Sequence, residues 1–190
     1  LLKRENLPGE RAAHYLEVLE QKSQRLRQLT EDLVEASKIS SGNIELHMMR
    51  MQFQSMISQA MGEFEERLEE KQLRVHADFP KEAVYIQADG RQLWRVLENL
   101  LGNICKYARE NTSVEAVLSC GQGRAVFTMK NISRDAITVE AQELSGRFVR
   151  GDKSRTTEGS GLGLSIAQSL TELMGGVFRL QVEGEEFSAI

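Results

Sequence analysis

Two stretches of the 190-residue chain carry residue types at spacings that suit chemistry. The first is Glu98-Asn99-Leu100-Leu101-Gly102-Asn103-Ile104-Cys105-Lys106-Tyr107. Steps of four and three put Asn99, Asn103 and Lys106 on one face of a helix, with the leucines on the other. Amide oxygens stacked beside an ammonium suit a magnesium ion and phosphate oxygens, because Mg2+ prefers oxygen ligands and keeps several waters. The same spacing also describes a solvated polar stripe, and alone it does not choose between the two. The second stretch is Glu158-Gly159-Ser160-Gly161-Leu162-Gly163-Leu164, which runs straight into a helical pattern. Glycines let backbone N–H groups approach an anion, and a helix N-terminus favours negative charge. No Gly-Lys-Ser/Thr follows, so this is not a P-loop. A long charged loop precedes it rather than a strand, so it is a poor dinucleotide fingerprint.

The elements that must position these stretches fall into two blocks. Residues 10–41 read as one long helix bounded by Pro8-Gly9 and by Ser40-Ser41-Gly42-Asn43. Ala12, Tyr15, Leu19, Leu26, Leu29, Leu33 and Ala36 recur at steps of three and four, broken only at Lys22. That is a coiled-coil-like a/d seam, which needs a partner helix from a second copy or from further chain. The alternative is a long helix lying on its own domain. From Asn43 the pattern changes. Strands are expected at 44–48, 75–79, 84–88, 114–120, 125–130, 177–182 and 186–190 from period-two alternation. Helices are expected at 53–68, 93–104 and 162–174 from apolar residues at helical spacing. Gly121-Gln122-Gly123 reads as a hairpin turn, Gly175-Gly176 as a helix stop, and 145–161 as a long loop. The order β-α-β-β-α-β-β-loop-α-β-β predicts an α+β fold, a two-layer sandwich with helices on a sheet.

Composition excludes other classes. Apolar residues make up 41% and charged residues 27%, as in a globular protein. A net charge of −4 without a Lys/Arg run argues against nucleic acid as partner. No apolar run approaches the roughly 18 residues of a membrane span, and no signal peptide opens the chain. Cys105 and Cys120 sit in apolar periodic segments, form no CxxC pair and read as two buried free thiols in a reducing compartment.

Taken together, in this order, the motifs resemble the catalytic ATP-binding domain of bacterial sensor histidine kinases. Glu98–Tyr107 resembles their N box, with Asn99 and Asn103 in the two asparagine places. Phe148-Val149-Arg150-Gly151-Asp152 resembles the F-box segment, and Gly159–Leu164 the G2 box. The helix over 10–41 is similar to the second helix of their dimerisation and phosphotransfer domain. The resemblance implies a Bergerat-type sandwich over 43–190 that binds ATP and Mg2+, preceded by part of a dimerisation helix over 1–42. Asn103 would hold Mg2+, Asn99 would lie near the phosphates, Lys106 would contact phosphate, and Tyr107 would line the nucleotide. Residues 145–161 would form the lid, with Gly159 in its glycine motif and the backbone at Gly161, Leu162 and Gly163 around the phosphates. Arg150 would be a second cation for the γ-phosphate, since such transfers rest on positioning and charge neutralisation. Glu98 is a candidate for polarising the nucleophile. The implied partners are ATP, a response regulator and a second copy through the N-terminal helix. The implied parent is anchored in a membrane and works at its cytoplasmic face.

Two departures from the family's pattern stand out. Where the family offers Asp-x-Gly-x-Gly, this chain has Lys130-Asn131-Ile132-Ser133-Arg134-Asp135. Asn131 takes the place of the aspartate that recognises adenine. Its amide oxygen still accepts from the amino group, without charge assistance worth about 1 kcal/mol. The alternative function is a non-catalytic signalling module with a degenerate nucleotide site; a chaperone- or topoisomerase-type ATPase fits the long helix less well. Second, the H box is missing: His14, His47 and His76 lack its acidic residue and proline, so the acceptor histidine is expected upstream of Leu1. Incubated with γ-labelled ATP, the chain is therefore expected to stay unlabelled. Stoichiometric label on any of those three histidines would overturn this reading.

Overall fold

Helix α4 (Gly90–Tyr107) is the element around which the others pack. Its apolar residues fall on one side, so Leu93, Val96, Leu97, Leu100, Leu101, Ile104 and Cys105 are all buried. Burying each such side chain is worth roughly 1.5–3 kcal/mol, so this face fixes the helix against its neighbours. The neighbours are α2 (Phe53–Glu63) and the helix Gly163–Leu173, called α5 here. Ile57, Ala60, Ile166, Ala167 and Leu170 complete the core from those two helices.

The computed structural model describes residues 9–42, 44–137 and 161–190. Within them the helices cover a five-stranded sheet of β2 (Arg74–Asp78), β4 (Ser113–Gly121), β5 (Arg124–Ile132), β6 (Leu180–Glu183) and β7 (Glu186–Ala189). The strand order is β2-β4-β5-β7-β6; β2 and β4 run parallel and the other pairs antiparallel. The two-layer α+β expectation is met. The hairpin between β4 and β5 turns through Gln122 at φ 52° and Gly123 at φ 73°. Two positive φ angles in a two-residue loop match the right-handed twist of the paired strands.

Three local readings are corrected. The strand expected at 44–48 is β1 at Met48–Gln52. It pairs antiparallel with β3 (Tyr85–Asp89), from Met48 opposite Asp89 to Gln52 opposite Tyr85, as a ribbon separate from the main sheet. Ile44 and Leu46 alternate only because both tuck partly inward; strand pairing starts where β3 offers a partner. The helix expected at 53–68 is α2 followed by a short α3 (Glu65–Glu70). The chain breaks at Phe64 (φ −99°, ψ 0°), beyond Gly62, a weak helix former, and this turns Leu68 into the core at 3% exposure. The last two strands are also shorter than the apolar pattern suggests.

Asp89 sets where α4 begins. Its Oδ1 accepts from the N–H of Arg91 (2.9 Å) and Gln92 (3.0 Å), a helix N-cap. Its Oδ2 accepts from the N–H of His47 (2.8 Å), tying the approach to β1 to the same point. Burial pushes this carboxyl up, but the three backbone donors outweigh it and hold its pKa below the ordinary 3.8.

Helix α1 (Gly9–Ser40) meets the domain with the side that carries Asp32, Glu35 and Ile39. Arg95 of α4 donates through Nη2 to Asp32 (3.1 Å) and through Nε to Glu35 (2.8 Å), and its Nη1 reaches Glu98 (3.4 Å). Asp32 is 5% exposed, so this network is shielded from solvent. The seam itself faces outward: Tyr15, Leu19, Leu26 and Leu33 are exposed, and only Ala12, Leu29 and Ala36 are half-buried. The helix thus touches its own domain and keeps most of the seam for something else.

Asp89→Ala is expected to cost about 2 kcal/mol at neutral pH, as loss of a cap does. The folded pKa is depressed, so the stabilisation is complete above 3.8 and is lost as pH falls through the lower folded value. Thermal melts of wild type and variant should converge below that pH; a constant gap down to strongly acid pH contradicts the cap assignment. Arg95→Met leaves the buried Asp32 carboxylate with its Gln28 hydrogen bond (2.8 Å) but without its cation, at a cost of about 2 kcal/mol after solvent screening. Amide exchange along residues 29–40 should accelerate in that variant, and unchanged exchange rules out the clamp.

Candidate functional site

The face of α4 opposite the core presents the first motif. Asn99, Asn103 and Tyr107 are half-buried and Lys106 is exposed. Asn99 Nδ2 donates to the Arg95 carbonyl (2.9 Å), which fixes the orientation of its amide. A Cβ placed on Gly163 would lie 3.0 Å from Asn99 Oδ1. Only glycine allows that approach without displacement, so the start of α5 rests on the amide face of α4. The two motifs, distant in sequence, are brought together.

Local structure explains how. Gly161 sits at φ +73°, a left-handed conformation that turns the chain into α5. Leu162 is buried at 2% exposure and anchors the turn. Its carbonyl accepts from the Ile166 N–H and the Ser165 hydroxyl, both at 2.8 Å. Leu162 stands at the N-cap position and offers no side-chain oxygen. The first N–H groups of α5 therefore point past an apolar cap, as an anion site at a helix N-terminus requires.

Asn131 enters from the sheet. Phe127, Met129 and Asn131 alternate along β5 toward the helices, while Lys130 points the other way and pairs with Glu186 (2.8 Å). Asn131 is 4% exposed, and its Oδ1 is buried without a hydrogen-bond partner. An unpaired buried acceptor costs about 1–3 kcal/mol. Such a cost is relieved by a ligand that donates, and the exocyclic amino group of adenine has the right chemistry. The end of β5 is stitched to the end of α4: Ala108 bridges Ser133, Arg109 N–H donates to Ile132 O (2.8 Å), and Arg134 N–H donates to Tyr107 O (2.8 Å). Asn131 thus lies in the strand beside the Tyr107 end of the amide face. The residues present fit a purine nucleotide with its phosphates toward α5.

Of the two cysteines, both expected to be buried, Cys105 is, but Cys120 is exposed, because it lies near the end of β4 next to the hairpin turn. Among the described residues no group of three or more His, Cys, Asp or Glu side chains could hold a metal. A magnesium ion here would rely on the Asn103 amide oxygen and on ligand phosphates. No described helix is long and apolar enough to cross a membrane. Glu98 is engaged by Arg95 at 3.4 Å. Arg150, Gly159 and most of the lid segment lie outside the described residues. Two residues that shape the site were not singled out from sequence. Asp89 is visible there as a capping residue before an apolar-periodic helix. Arg95 sits one turn before Asn99, but its partners are 60 and 63 residues away, and no local signal joins them.

Comparison with known proteins agrees with this geometry. The curated relative YcbM, a sensor histidine kinase of Bacillus subtilis (strain 168), is 27% identical over 186 residues. That alignment covers 97% of this chain and 60% of YcbM, so the chain spans only part of that relative's length. Full-length ShkA, solved in complex with AMPPNP, superposes with a TM-score of 0.79 at 24% identity, over 99% of this chain and 40% of that one. Histidine kinase ThkA, solved in complex with the response regulator protein TrrA, gives 0.71 at 20% identity, over 98% of this chain and 53% of that one. The profile described as histidine kinase-, DNA gyrase B-, and HSP90-like ATPase matches residues 88–189, more than half of the chain. From α4 to β7, then, the amide face, the orphaned Asn131 and the glycine-led α5 are those of a member of the histidine kinase-, DNA gyrase B- and HSP90-like ATPase family.

Proposed function

We propose that this chain is the ATP-binding catalytic part of a two-component sensor histidine kinase. It would place the γ-phosphate of ATP for transfer to a histidine outside residues 1–190, and thence to a response regulator. The observation that carries this reading is the contact between Asn99 and the start of α5 at Gly163, which joins the amide face to a helix N-terminus. Asn103 holds Mg2+, Lys106 and the backbone at Gly161, Leu162 and Gly163 take the phosphates, and Tyr107 and Asn131 line the base. Gly159 and Arg150 would belong to the lid, with Arg150 a second cation for the transferring γ-phosphate. Magnesium supplies charge neutralisation on the phosphates; the protein supplies orientation and exclusion of water.

The histidine kinase names of the relatives, and the AMPPNP and response-regulator complexes of the structural neighbours, support this reading. Residues 1–42 would be part of the dimerisation and phosphotransfer domain, and 43–190 the catalytic domain. The exposed seam at Tyr15, Leu19, Leu26 and Leu33 supports a dimer through α1. A parent anchored in a membrane, with this part at the cytoplasmic face, is consistent with a sensor.

Calorimetric titration with a non-hydrolysable ATP analogue tests the site. Binding is expected to need Mg2+ and to weaken at least about tenfold in Asn103→Ala, the loss of one metal ligand. No binding at millimolar nucleotide would favour the non-catalytic module instead.

A further inference from the structure

The orphaned amide of Asn131 has a consequence for which base the site accepts. A carboxylate only accepts hydrogen bonds, whereas an amide carries an acceptor and two donors side by side. Half a turn about the last side-chain bond exchanges oxygen and nitrogen while keeping the same shape. Among the described residues nothing fixes which way the Asn131 amide points: its Oδ1 has no partner. The buried Ser133 and Ser165 hydroxyls give their protons elsewhere. Ser133 Oγ donates to the Asp135 carbonyl (2.7 Å) and Ser165 Oγ to the Leu162 carbonyl (2.8 Å).

The two purine classes differ on the edge such an amide would meet. A 6-aminopurine offers an N–H donor at position six and an acceptor at N1. A 6-oxopurine offers an acceptor at position six and an N–H donor at N1. An amide pairs with either edge through two hydrogen bonds, in one of its two orientations. A carboxylate accepts only, so it meets one donor and one acceptor on either edge, and the oxygen that faces the six-position accepts from the amino group and repels the oxo group. We propose that Asn131 makes the nucleotide site tolerant of the six-position, so that a 6-oxopurine triphosphate binds about as well as ATP. This rests on the nucleotide reading given above.

ITP is the probe, because it lacks the 2-amino group of GTP and so alters only the edge in question. The chain is titrated with ATP and with ITP in the presence of Mg2+. The expected ratio of dissociation constants, ITP over ATP, lies below about tenfold; a site that reads the amino group separates such analogues by far more. A ratio above that, with ATP bound, overturns the inference and leaves the nucleotide site standing. Failure of both nucleotides to bind overturns the nucleotide reading and this inference with it. In Asn131→Asp the ratio is expected to rise by at least about tenfold. An unchanged ratio in a folded variant, checked by near-ultraviolet circular dichroism, also counts against the role of Asn131. The wild-type ratio decides the matter even where the variant does not fold.

Discussion

Helix α4 must satisfy two environments at once, and the rest of the fold follows from that. Seven of its side chains are buried among α2, α5 and the sheet, and its opposite face carries the amides and the lysine. A helix rotated by one residue, roughly 100°, would bury Asn99 and Asn103 and expose leucines. The large apolar face therefore sets the rotation, and the rotation aims the polar face. Where the helix begins along its axis is set separately, by Asp89. Three backbone donors from two segments converge on that one carboxylate, so the ribbon of β1 and β3 and the first turn of α4 are registered together.

The polar face then acquires its second wall through close backbone approach. Gly163 lies against Asn99 because a side chain there would collide with the amide, and Leu162 beside it is driven into the core. One residue is pulled inward and the next is kept bare. The N-terminus of α5 is anchored over the amide face by the buried Leu162 side chain. Arg95 joins this arrangement to α1. Its guanidinium neutralises two carboxylates of α1 and reaches Glu98, the residue just before Asn99. Burial would lower its pKa, but these carboxylates raise it, so the cation persists at any accessible pH.

How much of this the sequence discloses depends on the range of the interaction. Periodicity discloses α4, α5, the β4–β5 hairpin and the long α1, because each is specified by neighbours within a few residues. The motif residues on α4 and at Gly161–Gly163 are legible for the same reason. Boundaries decided by distant partners are not. Strand β1 starts at Met48 because β3 pairs there, although Ile44 and Leu46 continue the alternation. The interruption at Phe64 reflects the need to bury Leu68, which a helical wheel alone does not demand. The seam of α1 was legible as a stripe, but its orientation was not. Asp32 and Glu35, which lie outside that stripe, are what Arg95 of the domain binds, and that follows only from the position of Arg95.

The segment after β5 shows why a departure from a family's pattern need not be a defect. Glycines are needed where the backbone enters the left-handed region, and no residue from Asn131 to Ile137 has a positive φ. The turn is instead closed by side chains: the Ser133 hydroxyl donates to the Asp135 carbonyl, and the Arg134 guanidinium contacts the Asp135 carboxylate at 3.2 Å. Main-chain bonds from Arg109 and Arg134 fasten it to the end of α4. With the backbone held this way, replacing a buried carboxylate by Asn131 alters charge and donor pattern without moving the strand. A neutral amide is also cheaper to bury unpaired than a carboxylate. In the nucleotide site proposed above, the same substitution would remove a fixed negative charge from beside the base. Discrimination at that position then falls to an amide that can present either of its two atoms.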